Sequence, residues 1–315
     1  MIADKLLTAA LSSGEKLVVV YDNFMKEVAD GFLKRADYSF NLDEFGKRPL
    51  KEVPSEIISA VKKSQLLLLL VSKQGNEHTT VRKPLIDMKY SQELRVGAMY
   101  DVTKKQFEEV FSYDPLEVKE LNVKLMELVL AKDSVRIETP AGTDLKLKID
   151  HKYKWINQDA DLSKVSLQHS LLAGEVYGYP VDVNGVMVVD GVMGGEFSRF
   201  SMAKPLTIFI EDSKIVSIRC DNLELEQAFE QHILKYENAD RIGELGFGTN
   251  IALTKLYGVL GIDEKFPGNH IAFGHPYAEK TGAEWTCEVH VDCVMKKCST
   301  WIGDIKVLEE GKYLI

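Results

Sequence analysis

The apolar and polar positions of the chain fall into two textures. In the first, short apolar runs alternate with stretches of helical periodicity. Lys16 to Tyr21 (K-L-V-V-V-Y) reads as a buried strand running into Asp22, Gln65 to Ser72 as a second, and Val96 to Tyr100 as a third that ends at Asp101. Residues 3–12, Phe24 to Lys34, and the segment from Pro54-Ser55 to Lys63 carry apolar residues at helical spacing, and Asp22 or Asn23 can cap the second of these. Strands alternating with helices predict a parallel sheet covered on both faces. Thr103 followed by Gln106 marks another helix start, and Pro115 to Lys132 predicts a long helix with Leu121, Val123, Leu125, Leu128 and Leu130 as its apolar stripe. An α/β domain over 1–132 follows, with that helix as its bridging end. The polar stretch Lys73 to Lys83, with His78 and Arg82, reads as a loop.

From Ser134 the period changes from helical to alternating. Val135 to Thr139, a turn at Pro140-Ala141-Gly142, and Leu145 to Ile149 form an antiparallel hairpin pattern. Strand-like runs recur at Val186 to Asp190, Leu206 to Glu211 and Lys214 to Cys220, with one helix over Leu223 to Tyr236. Residues 133–315 are therefore expected to be a β-rich α+β domain.

Composition narrows the class. With 315 residues, 45% of them hydrophobic and 28% charged, the chain has enough apolar material for a sizeable core. A formal charge of −9 argues against a nucleic-acid partner, because phosphate backbones require a basic face. Leu66 to Val71 is apolar but far short of the roughly 20 residues of a membrane span, so no membrane partner is expected. The N-terminus has no basic segment leading into an apolar run, which points to a cytoplasmic protein. The four cysteines (Cys220, Cys287, Cys293, Cys298) form no C-x-x-C pair and read as reduced, buried thiols. Neither glycine-rich phosphate-binding motif occurs in the first half, so a nucleotide is not indicated. Asp22 and Asp101, at strand ends, suit caps and turns as well as a ligand crevice.

Candidate chemistry lies in the second half. Asn269-His270-Ile271-Ala272-Phe273-Gly274-His275-Pro276-Tyr277 precedes Glu288-Val289-His290-Val291-Asp292-Cys293. Read as a strand, the latter puts Glu288, His290 and Asp292 on one face and Val289, Val291 and Cys293 on the other. Imidazole and carboxylate together suit a divalent transition metal, although an H-x-D pair also occurs as plain surface polarity. Glu175 and Glu244 each follow a glycine, in Gly174-Glu175-Val176-Tyr177 and Ile242-Gly243-Glu244-Leu245-Gly246-Phe247-Gly248-Thr249-Asn250. Glycine beside a carboxylate permits the tight turns that ligand-bearing loops use, and surface turns explain either Glu alone. Glu175, Glu244, His270, His290 and Asp292 together make an inventory for two divalent ions about 3.5–4 Å apart with a shared carboxylate.

In this order the motifs G-E-V-Y, I-G-E-L-G-F-G-T-N, H-I-A-F-G-x-x-Y and H-V-D resemble the thermophilic metallo-aminopeptidase family, the aminopeptidase T group. Val135-Arg136-Ile137 with Pro140 to Leu145 resembles the start of that family's metal-bearing domain. The match runs over roughly residues 95–315, and the N-terminal half is expected to be shorter than in the peptidases. The resemblance implies a dinuclear centre of zinc, cobalt, manganese or magnesium held by Glu175, Glu244, His270, His290 and Asp292. It implies Tyr277 as a ligand or oxyanion donor, a homodimer, and removal of N-terminal residues from peptides. Glu175, Glu244 or Glu288 would carry the proton.

A second class stays open. His270, His290 and Asp292 are also a 2-His-1-carboxylate set, as in non-haem iron(II) oxygenases, and the same fold family is similar to a pyridine-ring-cleaving dioxygenase. Two additional glutamates favour the hydrolase, because a mononuclear iron needs open positions. A third reading is a relative that binds small molecules or peptides without catalysis. His275 is near the site in sequence. His151, His169 and His232 carry no expected role, with His232 on a helix surface. Trp285 is the tryptophan expected to line a cleft, and Arg199 and Lys204 are expected in surface ion pairs.

Overall fold

The computed structural model describes residues 2–112, 115–163 and 170–315; His169 lies outside them. The chain divides into two compact units, Met1–Ser112 with Ala160–Ala173, and Tyr113–Asp159 with Gly174–Ile315.

In the first unit the elements are α1 (Ile2–Ala10), β1 (Leu17–Tyr21), α2 (Lys26–Leu33), β2 (Tyr38–Asn41), α3 (Ser55–Val61), β3 (Leu66–Val71), α4 (Lys83–Asp87), β4 (Arg95–Tyr100) and α5 (Lys104–Val110). The strands form a parallel sheet in the order β2-β1-β3-β4. Every residue of β3 is buried, as its unbroken apolar run requires of a strand covered on both faces. Strand β2 was not foreseen: its Tyr-Ser-Phe-Asn run is short and half polar, which an edge position tolerates. The Asp22 carboxylate accepts the Met25 N–H at 2.9 Å ahead of α2, and Thr103 and Gln106 close a capping box on α5. The expected loop at 73–83 is in part helical. A wide turn over His78–Arg82 leads into α4, and Arg82 is buried with its guanidinium 4.8 Å from the Tyr100 ring.

In the second unit α6 (Pro115–Ala131) is followed by β5 (Ser134–Glu138), β6 (Asp144–Lys148), β7 (Trp155–Gln158), β8 (Glu175–Gly178), β9 (Asp182–Val189), β10 (Leu206–Glu211) and β11 (Lys214–Arg219). Then come α7 (Leu223–Lys235), β12 (Ile242–Gly248), α8 (Leu260–Asp263), β13 (Gly268–Gly274), α9 (Ala278–Thr281), β14 (His290–Val294), β15 (Ser299–Ile302), β16 (Ile305–Glu309) and β17 (Lys312–Tyr313). The expected boundary at 132 moves to 112. Helix α6 belongs to the second unit because it packs on β7 and β8, and Asn122 Nδ2 donates to Asn157 at 2.7 Å. Its seam is Val118, Leu121, Asn122, Leu125 and Val129, whereas Val123 and Leu130 of the expected stripe are exposed. Burying Asn122 rather than Val123 is explained by its hydrogen bonds to Asn157, Thr249 and the Glu175 carbonyl.

Two antiparallel sheets build this unit. One runs β11-β10-β9-β6-β5-β15-β16-β17, and the other β14-β13-β12-β8-β7. Val176, Leu245, Phe247, Ile271, Phe273, Val291 and Cys293 from the second sheet enter one core with Val135, Leu147, Met187 and Ile208 from the first. All four cysteines are buried and free. His232 is not on a helix surface. It is buried between Phe197, Phe229 and Tyr236, with Nδ1 3.0 Å from Glu196.

Candidate metal centre

Period-2 alternation sends the apolar residues of β8, β12, β13 and β14 to the core and leaves their other face to polar side chains. Register then brings these together. Gly248 pairs with Glu175, Gly246 with His270, Ala272 with both Glu244 and Asp292, and Gly274 with His290. Small residues at the pairing positions give the long polar ones room. A Cβ on Gly246 would lie 2.0 Å from His270 Nε2, so only glycine fits there. The two glutamates were expected in tight turns, and both are on strands instead. Gly174, at φ 115°, does make the turn entering β8, where its N–H donates to the Gln158 carbonyl.

Glu175, Glu244, His270 and Asp292 are buried, and His290 is largely so. Their ligand atoms fall into two groups, Glu175 with Glu244 and His270, and Glu244 with His290 and Asp292, each within 4.8 Å. His270 Nε2 lies 2.9 Å from Glu175 Oε1 and 3.1 Å from Glu244 Oε1. His290 Nε2 lies 3.2 Å from Asp292 Oδ1 and 4.0 Å from Glu244 Oε2. The other nitrogen of His290, Nδ1, is 2.8 Å from the His275 carbonyl; an N–H donated there turns Nε2 inward. Glu288 does not join this face: β14 begins at His290, and Glu288 precedes it, exposed.

Buried carboxylates and cationic groups face each other closely in this site. Burial pushes the Glu244 carboxyl above its ordinary range, and Glu175 and Asp292 add to that against His270 and His290. Burial also opposes ionisation of Glu175 and Asp292, but cations win. Lys265 and His270 hold Glu175 below the usual 4.5, and His290 takes Asp292 down to about 2. Against burial, the carboxylates raise His270 well above 6.5 and His290 to about 9. Glu244 Oε2 is buried with no hydrogen-bond partner among the described residues. An orphaned carboxylate oxygen facing an imidazole and a second carboxylate is a position a cation would satisfy, so these residues fit a divalent metal.

Three neighbours escaped the sequence reading. Lys265 is buried, with Nζ 2.5 Å from both Glu175 Oε2 and Glu264 Oε1. Burial and the charges of Glu175 and Asp292 outweigh Lys265 and push the Glu264 carboxyl up to about 7. Lys280, on α9, is held by burial below the ordinary lysine range, against the pull of Glu279, Glu244 and Glu175. A lysine inside a Gly-Ile-Asp-Glu-Lys run carries no local signal of a partner 90 positions away.

Tyr277 stands beside the second group, its ring 4.6 Å from that of His290. Its backbone is left-handed at φ 47°, which costs a bulky residue strain, and its N–H donates to His275 Nδ1 at 2.9 Å. Burial, reinforced by Glu244 and Asp292, pushes its phenol well above 10. The Trp285 ring packs 6.0 Å from that of Tyr179 and stacks with the Arg241 guanidinium at 4.3 Å. Arg199 is paired with Glu224 at 3.5 Å, and Lys204 donates to the Asp221 carbonyl.

No family model matches the sequence, and no curated protein matches it. Solved structures do. A 2,5-dihydroxypyridine dioxygenase from Pseudomonas putida superposes with a TM-score of 0.70 at 12% identity, over 99% of this chain and 96% of that one. Wild-type AmpT from Thermus thermophilus superposes with a TM-score of 0.70 at 14% identity, over 100% of this chain and 99% of that one. The likeness is one of fold. Among the described residues no helix is long and apolar enough to cross a membrane.

Proposed function

We propose that this protein is a metal-dependent aminopeptidase whose two side-chain groups hold two divalent ions. Glu244 carries the reading: its Oε1 faces His270 and its Oε2 faces His290, so one carboxylate belongs to both groups. Glu175, Glu244 and His270 would hold one ion, and Glu244, His290 and Asp292 the other. Mixed imidazole and carboxylate donors suit zinc, cobalt or manganese better than magnesium. Such a pair of ions supplies a nucleophilic water at neutral pH and polarises the scissile carbonyl.

The chain's own residues do the rest. Lys265 grips Glu175 Oε2 and so turns Oε1 toward His270. Glu264 holds the far side of that ammonium and, with its carboxyl near 7, is a group that exchanges a proton close to neutrality. Tyr277 stays protonated at neutral pH and donates its O–H to the oxygen that gains charge, a contribution of about 3 kcal/mol where such a donor has been removed. His275 fixes Tyr277 through its backbone N–H and His290 through its own carbonyl.

Ring cleavage by a single iron would draw on His270, His290 and Asp292. The dioxygenase neighbour keeps that reading in play, but here His270 sits in one group and the other two residues in the second. The test is a screen of aminoacyl amides and short peptides with added zinc, cobalt, manganese or magnesium at neutral pH, alongside metal analysis. Two ions per chain and release of N-terminal residues are expected. A folded, metal-loaded protein that cleaves none of them removes the peptidase reading, and one iron per chain with oxygen uptake installs the other.

A further inference from the structure

Among the described residues, Lys280 is a cation with nothing of opposite charge to hold. Its Nζ donates to Tyr177 Oη at 3.3 Å, at the long end of hydrogen bonding, and lies 4.7 Å from the Tyr277 ring centroid and 6.0 Å from that of Tyr177. No carboxylate of those residues pairs with it within 4 Å; the acidic groups that act on it from further off are Glu279, Glu244 and Glu175. An ammonium has three donors, and a ring face attracts charge without accepting all of them. Lysines seldom accept partial burial on such terms, because desolvation is uncompensated. The other lysine of the site shows the contrast, since Lys265 has a carboxylate on each side.

Position says what the charge is for. Tyr177 is two residues after Glu175 on β8, on the same face, and Tyr277 touches His290. The Nζ of Lys280 and the ring of His290 both lie within 4.7 Å of the Tyr277 ring centroid. The ammonium is therefore no further from the His290 ring than these two lengths end to end, a gap that a dipeptide, with Cα atoms about 3.8 Å apart, can span. The carboxylates and ions of the centre suit the amino end of such a substrate, and only a cation beyond them suits an acidic end.

We propose that Lys280 is the receptor for a carboxylate of the substrate, so that the site selects short peptides carrying a negative charge just past the scissile bond. This rests on the aminopeptidase reading. The carboxylate has two sources, the C-terminus of a dipeptide or an acidic side chain after the scissile bond.

Calorimetric binding to the metal-loaded protein separates them, with leucylglycine, leucylglycinamide and the α-amide of leucylaspartate as probes. An acid should bind about tenfold or more tightly than the neutral amide, as a charge-assisted hydrogen bond implies. Preference for leucylglycine assigns the terminal carboxylate, and preference for the aspartate amide the side chain. In Lys280→Met the preference should disappear, and in Lys280→Arg it should largely survive. Equal binding of all three probes to the wild type, a preference that persists in Lys280→Met, or no binding at all overturns the proposal. Preference without cleavage of any probe would sink the peptidase reading and leave the receptor standing; cleavage without preference would do the reverse.

Discussion

Asp22 and Glu77 in the first unit share one guanidinium, while Glu175, Glu244 and Asp292 in the second share no such partner. Arg48 Nη1 reaches Asp22 at 2.5 Å, its Nε and Nη2 grip Glu77, and Nη2 also donates to the Ser72 carbonyl. The remaining lone pairs are met by the Ser72 N–H and hydroxyl and by the Leu50 N–H. That cluster is closed: every carboxylate oxygen of Asp22 and Glu77 has a hydrogen-bond donor, and a ligand would have to break it. In the second unit Lys265 answers Glu175, the imidazoles answer the rest only when protonated, and one oxygen of Glu244 is left over. Both units thus bury acidic residues near strand ends, Asp22 just after β1 and Glu175 at the start of β8. What separates them is whether every carboxylate oxygen finds a donor inside the protein, as Glu244 Oε2 does not among the described residues.

The largest effect that would test this contrast is in the closed cluster. Arg48→Met strands two buried carboxylates, and a loss of about 3–5 kcal/mol in urea unfolding is expected, the same with and without added zinc. Zinc rescue of that variant would break the contrast. In the open cluster the order is reversed. Glu244→Gln should leave the metal-free protein as stable as the parent or more so, because a buried charge is removed, while metal affinity falls by about 100-fold or more in a chelator competition. Destabilisation of the metal-free protein on the scale of Arg48→Met would show that the carboxylate serves the fold.

A smaller effect sharpens the same point through pH. His290 in the folded protein lies at about 9, above its usual 6.5, so its contribution to the metal-free protein is full below 6.5 and lost as pH rises through 9. Asp292, drawn down to about 2, contributes above 3.8 and loses that as pH falls through 2. The pair thus supports the metal-free fold best between 3.8 and 6.5. A metal must displace the imidazole protons, so the zinc-induced rise in melting temperature should widen between pH 6.5 and 9. A rise that is flat over that range would contradict the assignment of the histidines as ligands.

Local pattern determined much of this. The Leu-rich run of β3, the Thr103 capping box and the hairpin of β5 and β6 were written in adjacent residues, since each depends on near neighbours in the chain. The five residues that the fold gathers into two candidate metal-binding groups could also be picked out by their motifs, because glycine, histidine and carboxylate at fixed spacing are visible in one dimension. Their grouping was not. Which carboxylate stands between the two imidazoles depends on β12 pairing with β13 on one edge and β8 on the other, and Glu288 lost its place because β14 starts two residues later than its alternation suggested.

Amphipathic period alone misled where polar residues found partners. The α6 seam took Asn122 over Val123 because its amide is hydrogen-bonded to Asn157, Thr249 and the Glu175 carbonyl, and His232 went inside among aromatic rings with Nδ1 on Glu196, its Nε2 left without a partner among the described residues. Lys265 and Lys280 make the same point at the site. In the chain they are two lysines among many; in the fold one is enclosed by Glu175 and Glu264 and the other is set against Tyr177 and Tyr277. Sequence determined which side chains were available to this protein, and only tertiary packing decided which charges meet, because electrostatic partnership depends on distance through space.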